Sequence, residues 1–438
     1  MHMADKSTVR AKLSLRPPQV QQGRWALGFT AFILLVFALY EFVLPNLNYS
    51  AQSFFNDWLP LTGLNEAAVF VILALGLNIV VGYAGLLDLG FVAFWAIGGY
   101  VVGWLMSGFF HQVTFTFGGH APAGLPEGIH ISFWLVLLIA GAFCAVWGVI
   151  IGAPTLRLKS DYLALVTLGF GEIIPQVFFN GENINGFNLS NGSKGISPVD
   201  NVQLGGKVLG PFDLSWKFLI YSAIAAFVVF LSLRLRSGRL GRAWLAIRED
   251  ELAASMMGVP LMRTKLAAYA TGAFAGGLGG AAFTTQVNGV FAERFNFSIS
   301  ILLLAMVVLG GMGNVWGIII GALVLAWINN TGLVQIGKTV NQALGTDINF
   351  PSYNFLLFGT ILILMMLFRR EGLLPEARTR LVLREPERGQ LASLGAEAEF
   401  AAAEEAIGTA VKPDGRAEST AQDGRQPSGD DAEGGHRG

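Results

Sequence analysis

Long apolar segments, each of about 20 residues, recur along this chain between shorter polar stretches. A helix needs about 20 residues to cross roughly 30 Å of hydrocarbon, and a backbone in lipid must satisfy its polar groups internally. The segments therefore predict an all-α fold: a polytopic inner-membrane helix bundle of about ten transmembrane helices. The predicted spans are 25–44, 64–83, 86–107, 132–153, 161–180, 216–235, 264–287, 297–311, 313–331 and 352–368.

The composition agrees with a membrane protein. Of the 438 residues, 53% are hydrophobic and 13% are charged, whereas soluble domains average about a quarter charged. The net charge of -1 gives no indication of a nucleic-acid partner. The single cysteine, Cys144, lies in an apolar segment, so a disulfide framework is excluded.

The two ends of the chain differ from the predicted transmembrane permease domain at 25–370. Residues 1–24 form a basic lead, and no small-residue cleavage site follows the first apolar segment, so we expect an uncleaved first helix rather than a signal peptide. Residues 371–438 form a polar tail. We expect the tail to be disordered after about residue 388, because large apolar side chains become scarce there.

The basic residues of the loops predict the orientation. With the N-terminus inside the cell, the inside loops carry Arg157, Lys159, Arg234, Arg236, Arg239, Arg242, Arg248, Arg263, Lys265, Arg369 and Arg370. The outside loops carry only Lys194, Lys207, Lys217, Arg294 and Lys338. Ten helices satisfy this positive-inside pattern and nine or eleven do not. Both termini and the loop at 237–262 are therefore predicted to be cytoplasmic, and the loop at 181–215 extracytoplasmic, as either a small cap or a slack connection.

The polar segment GRAWLAIREDELAASMMGVP at 241–260 interrupts two apolar ones. Three acidic residues at 249–251 suit the positive end of a helix dipole, and the following Gly-Val-Pro is a stop signal. These features predict a cytoplasmic helix of about two turns. Leu252 and Met256, four residues apart, would form an exposed apolar knob that requires a groove in a partner.

Glycines spaced four residues apart indicate close helix packing. Small residues at this spacing allow helix backbones to approach where lipid supplies no hydrophobic drive. The tandem repeats are Gly272, Gly276 and Gly280, and then Gly313, Gly317 and Gly321. They fit either packing within one subunit or contact with a second membrane subunit. Glycines and Asn at 310–314 also predict a turn between two spans.

Three polar residues within the spans are candidates for a translocation path: Asn78, Asp88 and Glu172. A carboxylate in a span costs about 2.5 to 3.5 kcal/mol, so it should face protein or water, or lie near a helix end. Glycines around Asp88 predict a broken or re-entrant element with helix ends available to polar ligands. The competing interpretations are that Asp88 caps a helix at the cytoplasmic border and that Glu172 pairs within the bundle.

Residues 332–339, GLVQIGKT, match the pattern of a phosphate-binding loop. That loop requires a strand before it and a helix after it in a soluble domain, whereas here it follows an apolar helix on the predicted outer side. We therefore expect no nucleotide site in this chain. The five histidines lie in tails and loops without metal-ligand spacing, and no GxSxG pattern occurs. No metal site and no enzymatic activity are predicted.

Four separated motifs carry a family resemblance. They are GLLDLGFVAFWAIGGY at 85–100, SDYLALVTLGFGEI at 160–173, GRAWLAIREDELAASMMGV at 241–259 and LGGMGNVWGIIIGA at 309–322. Together they resemble the LivM-type permease subunit of branched-chain amino acid ABC importers, a binding-protein-dependent transport family, over about 60–375. The resemblance implies a path for leucine, isoleucine and valine, with a LivH-like membrane subunit, two cytoplasmic ATPases and an extracytoplasmic binding protein as partners. ATP and Mg would be bound by the partner ATPases.

The resemblance also implies roles for the cytoplasmic helix. Its residues match an EAA-like coupling helix that docks in an ATPase, although Leu252 interrupts the contiguous Glu-Ala-Ala of a stricter motif. The implied coupling residues are Arg248, Glu249, Asp250, Glu251, Leu252, Ala253, Ala254, Met256 and Gly258. Two other functions stay open at this point: a urea or short-chain amide permease subunit, and a stand-alone secondary transporter or channel.

Overall fold

The computed structural model describes residues 18–119, 127–158, 160–345, 347–369 and 372–374, all within the compact unit Met1–Thr379. The predictions for residues 1–17, for Lys159 and Arg370, and for the tail from 375 onward lie outside these residues. Fourteen α-helices make up most of the described chain. They are α1 (Pro18–Ala38), α2 (Tyr49–Trp58), α3 (Leu61–Asn78), α4 (Val92–Leu105), α5 (Phe133–Thr155), α6 (Ser160–Phe179), α7 (Leu214–Ser237), α8 (Arg239–Glu249), α9 (Glu251–Met256), α10 (Leu261–Val287), α11 (Phe297–Gly310), α12 (Val315–Trp327), α13 (Leu333–Leu344) and α14 (Asn354–Phe368).

The described residues contain nine helical stretches that are long and apolar enough to cross a membrane. The third predicted span is the exception, because α4 has 14 residues and begins at Val92 rather than at residue 86. Counting α4, the bundle has the ten membrane elements that the apolar segments predict. The predicted polytopic helical fold is confirmed.

Some predicted boundaries were wrong. A π-helical turn, Ile328–Gly332, joins α12 to α13, so the eighth of these helical stretches runs on to Leu344 rather than ending at residue 331. The phosphate-loop-like residues therefore lie in this π turn and in α13, without the strand that a nucleotide-binding loop needs. The segment 237–262, predicted as a loop around one short helix, is almost entirely helical as α8 and α9.

Five short strands also depart from the all-α prediction: β1 (Met106–Ser107), β2 (Phe115–Phe117), β3 (Ile129–Ile131), β4 (Val202–Leu204) and β5 (Lys207–Leu209). β3 pairs antiparallel with β1 and parallel with β2, while β4 and β5 form an antiparallel hairpin. Strands of two or three residues carry almost no periodic signal, which is why the sequence pattern missed them. His130 and Asp200 are both buried and lie 2.8 Å apart, so they join the sheet to the loop 181–215. This loop is therefore a folded cap.

α10 lies at the centre of the bundle and uses its glycines to contact other helices. A Cβ atom on Gly280 would lie 2.3 Å from the carbonyl oxygen of Trp95 in α4. One on Gly272 would lie 2.4 Å from the side chain of Val80, and one on Gly276 would lie 2.9 Å from the side chain of Phe94. Neighbours this close, whether backbone or side chain, leave room for nothing larger than hydrogen at the contact. The predicted packing of this first tandem repeat thus takes place within the subunit.

The three glycines of the second tandem repeat do not share one structural role. A Cβ atom on Gly317 would lie 2.1 Å from the carbonyl oxygen of Gly310, and one on Gly321 would lie 2.7 Å from that of Met306, so both glycines pack α12 against α11. Gly313 lies outside the helices, in the predicted turn, with φ at +88°. Its part in the predicted packing motif was wrong, because a backbone turn rather than a helix contact requires glycine there.

The helix that contains α3 ends in a π-helical turn, Ile79–Tyr83, and residues 84–91 then run without regular structure to α4. We call residues 79–91 the broken element. It confirms the interruption that the glycines around Asp88 predict. α8, α9 and the first turn of α10 lie at the same end of the bundle, which we call the α9 end. The five strands lie at the opposite end, the strand end, since the chain crosses the bundle between them.

Candidate functional site

α9 is a short helix with a defined start and stop. The Asp250 carboxylate accepts hydrogen bonds from the backbone amides of Leu252 and Ala253, at 2.8 and 3.0 Å, and so caps the N-terminus. Gly258, at φ +83°, turns the chain out of the helix before α10 begins. The predicted acidic start and Gly-Pro stop are therefore both present in the structure.

The outer face of α9 is apolar. The side chains of Leu252, Met256 and Met257 are 66%, 77% and 84% exposed, whereas Ala254 is buried against the bundle. We call the three exposed residues the α9 knob. Three large apolar side chains on one turn and a half of helix form a protrusion suited to a pocket in another protein. Met257 was not among the predicted residues, because it lies one position beyond the i, i+4 pair.

Two contacts fix the α8–α9 pair on α10. The Lys265 ammonium lies 2.5 Å from the Glu251 carboxylate, and the Lys265 side chain is 8% exposed against 52% for Glu251. The indole nitrogen of the fully buried Trp244 donates to the carbonyl oxygen of Thr264 at 2.8 Å. The α9 knob is therefore held on a rigid base.

Arg248 and Glu249 end α8 and face different surroundings. The guanidinium of Arg248 donates to the carbonyl oxygen of Gly82 at 2.6 Å, which joins α8 to the broken element. Glu249 is exposed. Of the predicted coupling residues, only Ala254 is buried. Arg248 is exposed as a residue, and it contacts the bundle through the guanidinium that bonds to Gly82. The other exposed coupling residues are Glu249, Asp250, Glu251, Leu252, Ala253, Met256 and Gly258.

Two of the three predicted path residues lie inside the protein. Asn78 is fully buried, and its side-chain oxygen accepts a hydrogen bond from the Gly313 amide at 2.9 Å. Asp88 is 1% exposed and accepts a hydrogen bond from the Gly90 amide at 2.9 Å, so it shapes the broken element. Asn78 holds the turn between α11 and α12. Neither side chain opens on a surface that a solute can reach.

Glu172 is placed on the outer face of α6, not inside the bundle. Gln176 and Asn180 follow it at i+4 and i+8 and are exposed too, so the three form a polar stripe about 12 Å long. We call this stripe the α6 ridge. It borders a shallow open groove and is flanked by exposed apolar side chains, among them Ile173 and Val177. The spacing of Gln176 and Asn180 was visible in the sequence, and the prediction overlooked it.

A polar ridge on a membrane helix has restricted surroundings. α6 is one of the nine candidate spans, and 28% of its apolar window is buried in the subunit. A carboxylate near the middle of a span costs about 2.5 to 3.5 kcal/mol in lipid, so the ridge must face water or another protein. The flanking apolar side chains suit a second membrane protein.

These features define the class of protein: a multi-pass helical membrane protein with a protruding knob at one end and a polar ridge on one side. The chain matches the family described as branched-chain amino acid transport system / permease component, over residues 59–366. The protein belongs to this family.

Individual permease proteins are also similar to this chain. The chain is 36% identical over 337 residues to the high-affinity branched-chain amino acid transport system permease protein LivM of Escherichia coli, covering 72% of this chain and 70% of the relative. It is 27% identical to the probable branched-chain amino acid transport permease protein LivM of Methanocaldococcus jannaschii, covering 70% and 91%. It is 26% identical to the L-arabinose ABC transporter permease protein AraH of Azospirillum brasilense, covering 81% and 91%. No solved structure matches the chain.

Proposed function

We propose that this chain is the membrane subunit of an ATP-driven importer and forms the translocation path for branched-chain amino acids, namely leucine, isoleucine and valine. The protein lies in a bacterial inner membrane with the α9 end in the cytoplasm. The basic residues support this orientation, since Arg234, Arg236, Arg239, Arg242 and Arg263 all lie at the α9 end. The names of its LivM relatives support the substrate.

The observation that carries the proposal is the α9 knob on its rigid base. A knob that moves as one body with α8 and α10 can convert a push from a docked ATPase into a displacement of the bundle. Two cytoplasmic ATPase subunits bind and hydrolyse ATP with Mg, and this chain supplies their docking helix. Leu252 and Met256 fill the ATPase groove.

The α6 ridge supports a path along the outer wall of the subunit. A second, LivH-like membrane subunit packs on the apolar flanks of α6 and encloses the ridge. An amino acid zwitterion fits such a wall, because Glu172 attracts its ammonium group and the flanking apolar residues accept its branched side chain. An extracytoplasmic binding protein delivers the amino acid at the strand end.

The test is uptake of labelled leucine and labelled urea by vesicles that contain the whole complex. Leu252→Asp should lower leucine uptake about tenfold or more, because a charge in a docking pocket removes a central contact. Leu344→Asp is the matched control, since Leu344 is 70% exposed at the strand end and Leu252 is 66% exposed at the α9 end.

Three outcomes would overturn the proposal. Urea uptake without leucine uptake would assign the chain to the urea and short-chain amide permeases. Leucine uptake that persists after deletion of both ATPases would indicate a secondary transporter or channel. Equal uptake by the Leu252→Asp and Leu344→Asp complexes would show that the α9 knob does not dock the ATPase.

A further inference from the structure

The broken element lies between the α8–α9 pair and α6. We infer that it transmits the movement of the coupling helix to the α6 ridge, and that Arg248 is the positioning residue that makes the connection. This inference rests on the proposed function, since it assumes a docked ATPase at the α9 knob and a path along α6.

The first link joins α8 to the π-helical turn. The Arg248 guanidinium donates to the Gly82 carbonyl at 2.6 Å, across 166 residues of sequence. The stem of the same side chain lies against Gly85, where φ is +70° and a Cβ atom would lie 2.9 Å from Cγ of Arg248. A guanidinium presents its donors in a fixed planar fork, so it holds the partner carbonyl in one orientation.

A second contact supports the same turn from α7. The Tyr83 hydroxyl lies 2.9 Å from the Ser232 hydroxyl, and the Arg236 guanidinium lies 5.9 Å from the centre of the Tyr83 ring. α7 leads directly into α8. Movement of the α8–α9 pair therefore reaches the π-helical turn through two contacts that belong to one continuous stretch of chain.

The second link joins the broken element to α6. The Leu89 amide donates to the Thr167 hydroxyl at 3.1 Å. A Cβ atom on Gly90 would lie 2.0 Å from the Thr167 carbonyl oxygen, and one on Gly171 would lie 3.0 Å from Cα of Gly90, so the two backbones touch. Contact between backbones cannot be relieved by a side-chain rotation, and a shift of one segment displaces the other.

The Asp88 carboxylate stabilises the backbone of the broken element between the two links. It accepts a hydrogen bond from the Gly90 amide and also lies near the hydroxyls of Thr167 in α6 and Tyr269 in α10. Gly171 immediately precedes Glu172, the first residue of the α6 ridge. A chain of packed groups with two discrete arrangements can carry energetic coupling between separated sites. Here the chain of contacts runs from the α9 knob through Arg248 and the broken element to Glu172.

The test places a cysteine on the α6 ridge, Gln176→Cys, and measures its rate of modification by a charged thiol reagent in the assembled complex. The native Cys144 is fully buried, which keeps the background low. ATP with vanadate should change the modification rate, and Arg248→Met should reduce that change about fivefold or more, the lower end of the usual range for allosteric coupling. ATP hydrolysis is measured on the same complex, so that a loss of ATPase docking is distinguished from a loss of the connection through Gly82.

Two further variants keep the test decisive. Arg248→Lys retains a charge but not the planar fork, so it should give an intermediate response. Arg242→Met is the matched control, because Arg242 is an exposed arginine of α8 that donates to the nearby Ser237 carbonyl at 3.1 Å. Its response should equal that of the parent chain.

The inference fails if the parent complex transports leucine without any nucleotide-dependent change at Gln176→Cys, or if the change persists in Arg248→Met. Both outcomes leave the proposed function standing, since leucine uptake is measured separately. A third outcome would also overturn the inference: Arg248→Met loses both ATP hydrolysis and uptake, while Arg248→Lys equals the parent chain. Arg248 would then serve only the assembly of the complex.

Discussion

Asp88 and Glu172 are both carboxylates within the membrane domain, and the structure treats them in opposite ways. Asp88 is 1% exposed and accepts a hydrogen bond from the Gly90 amide, so its charge is used inside the protein. Glu172 is exposed on the outer face of a membrane helix. An acidic residue in a span can therefore stabilise an irregular backbone from inside the protein, as Asp88 does, or lie on the outer face of its helix, as Glu172 does.

The largest expected loss of stability is at the contact between the broken element and α6. Gly90→Val should destabilise the folded chain by about 3 kcal/mol, because its Cβ would lie 2.0 Å from the Thr167 carbonyl oxygen. Thermal unfolding in detergent measures the loss. Gly169→Val is the control, since a Cβ there meets nothing within 4 Å. Equal melting temperatures would mean that the contact is not tight.

A smaller loss of stability distinguishes Asp88 from Glu172. Asp88→Ala should cost about 1 to 3 kcal/mol in the free energy of unfolding, because the buried Gly90 amide loses its acceptor. Glu172→Ala should change it by less than about 0.5 kcal/mol, as is usual for exposed positions. The same unfolding measurement compares them. A larger loss for Glu172 than for Asp88 would reverse the assignment of inner and outer roles.

The smallest expected effect concerns transport alone. Glu172→Leu should lower leucine uptake about tenfold, which corresponds to the loss of one hydrogen bond to a charged group, about 1.5 kcal/mol. Leu165→Ile, a change at an exposed residue of α6 outside the ridge and its groove, should leave uptake unaltered. Uptake by vesicles with equal amounts of inserted subunit decides the point. Unchanged uptake in Glu172→Leu would show that the path does not run along the α6 ridge.

Much of the fold was readable from the sequence, because apolar length and capping residues are properties of single segments. The orientation predicted from loop charge stays a prediction. The ten membrane elements, the turn at 310–314 and the capped α9 all follow from local signals of this kind. Gly272, Gly276 and Gly280 were also identified correctly as packing residues, since their spacing is local.

The candidate site was less predictable, since burial depends on residues distant in sequence. Asn78 bonds to Gly313 across 235 residues, and Arg248 bonds to Gly82 across 166. No local pattern distinguishes such a buried partner from a residue that lines a path. The outward stripe of Glu172, Gln176 and Asn180 did have a local signal, because residues four apart share a helix face.

The glycine face of α10 has a consequence for cells that make too much of this subunit. The centre of the described bundle is occupied by α10 backbone in contact with α3, α4 and α5, so it offers no room for a solute to pass. A copy of this chain without the proposed partner subunit should therefore be electrically silent, dissipating neither proton nor sodium gradients. Overexpression of this chain alone should leave the membrane potential intact.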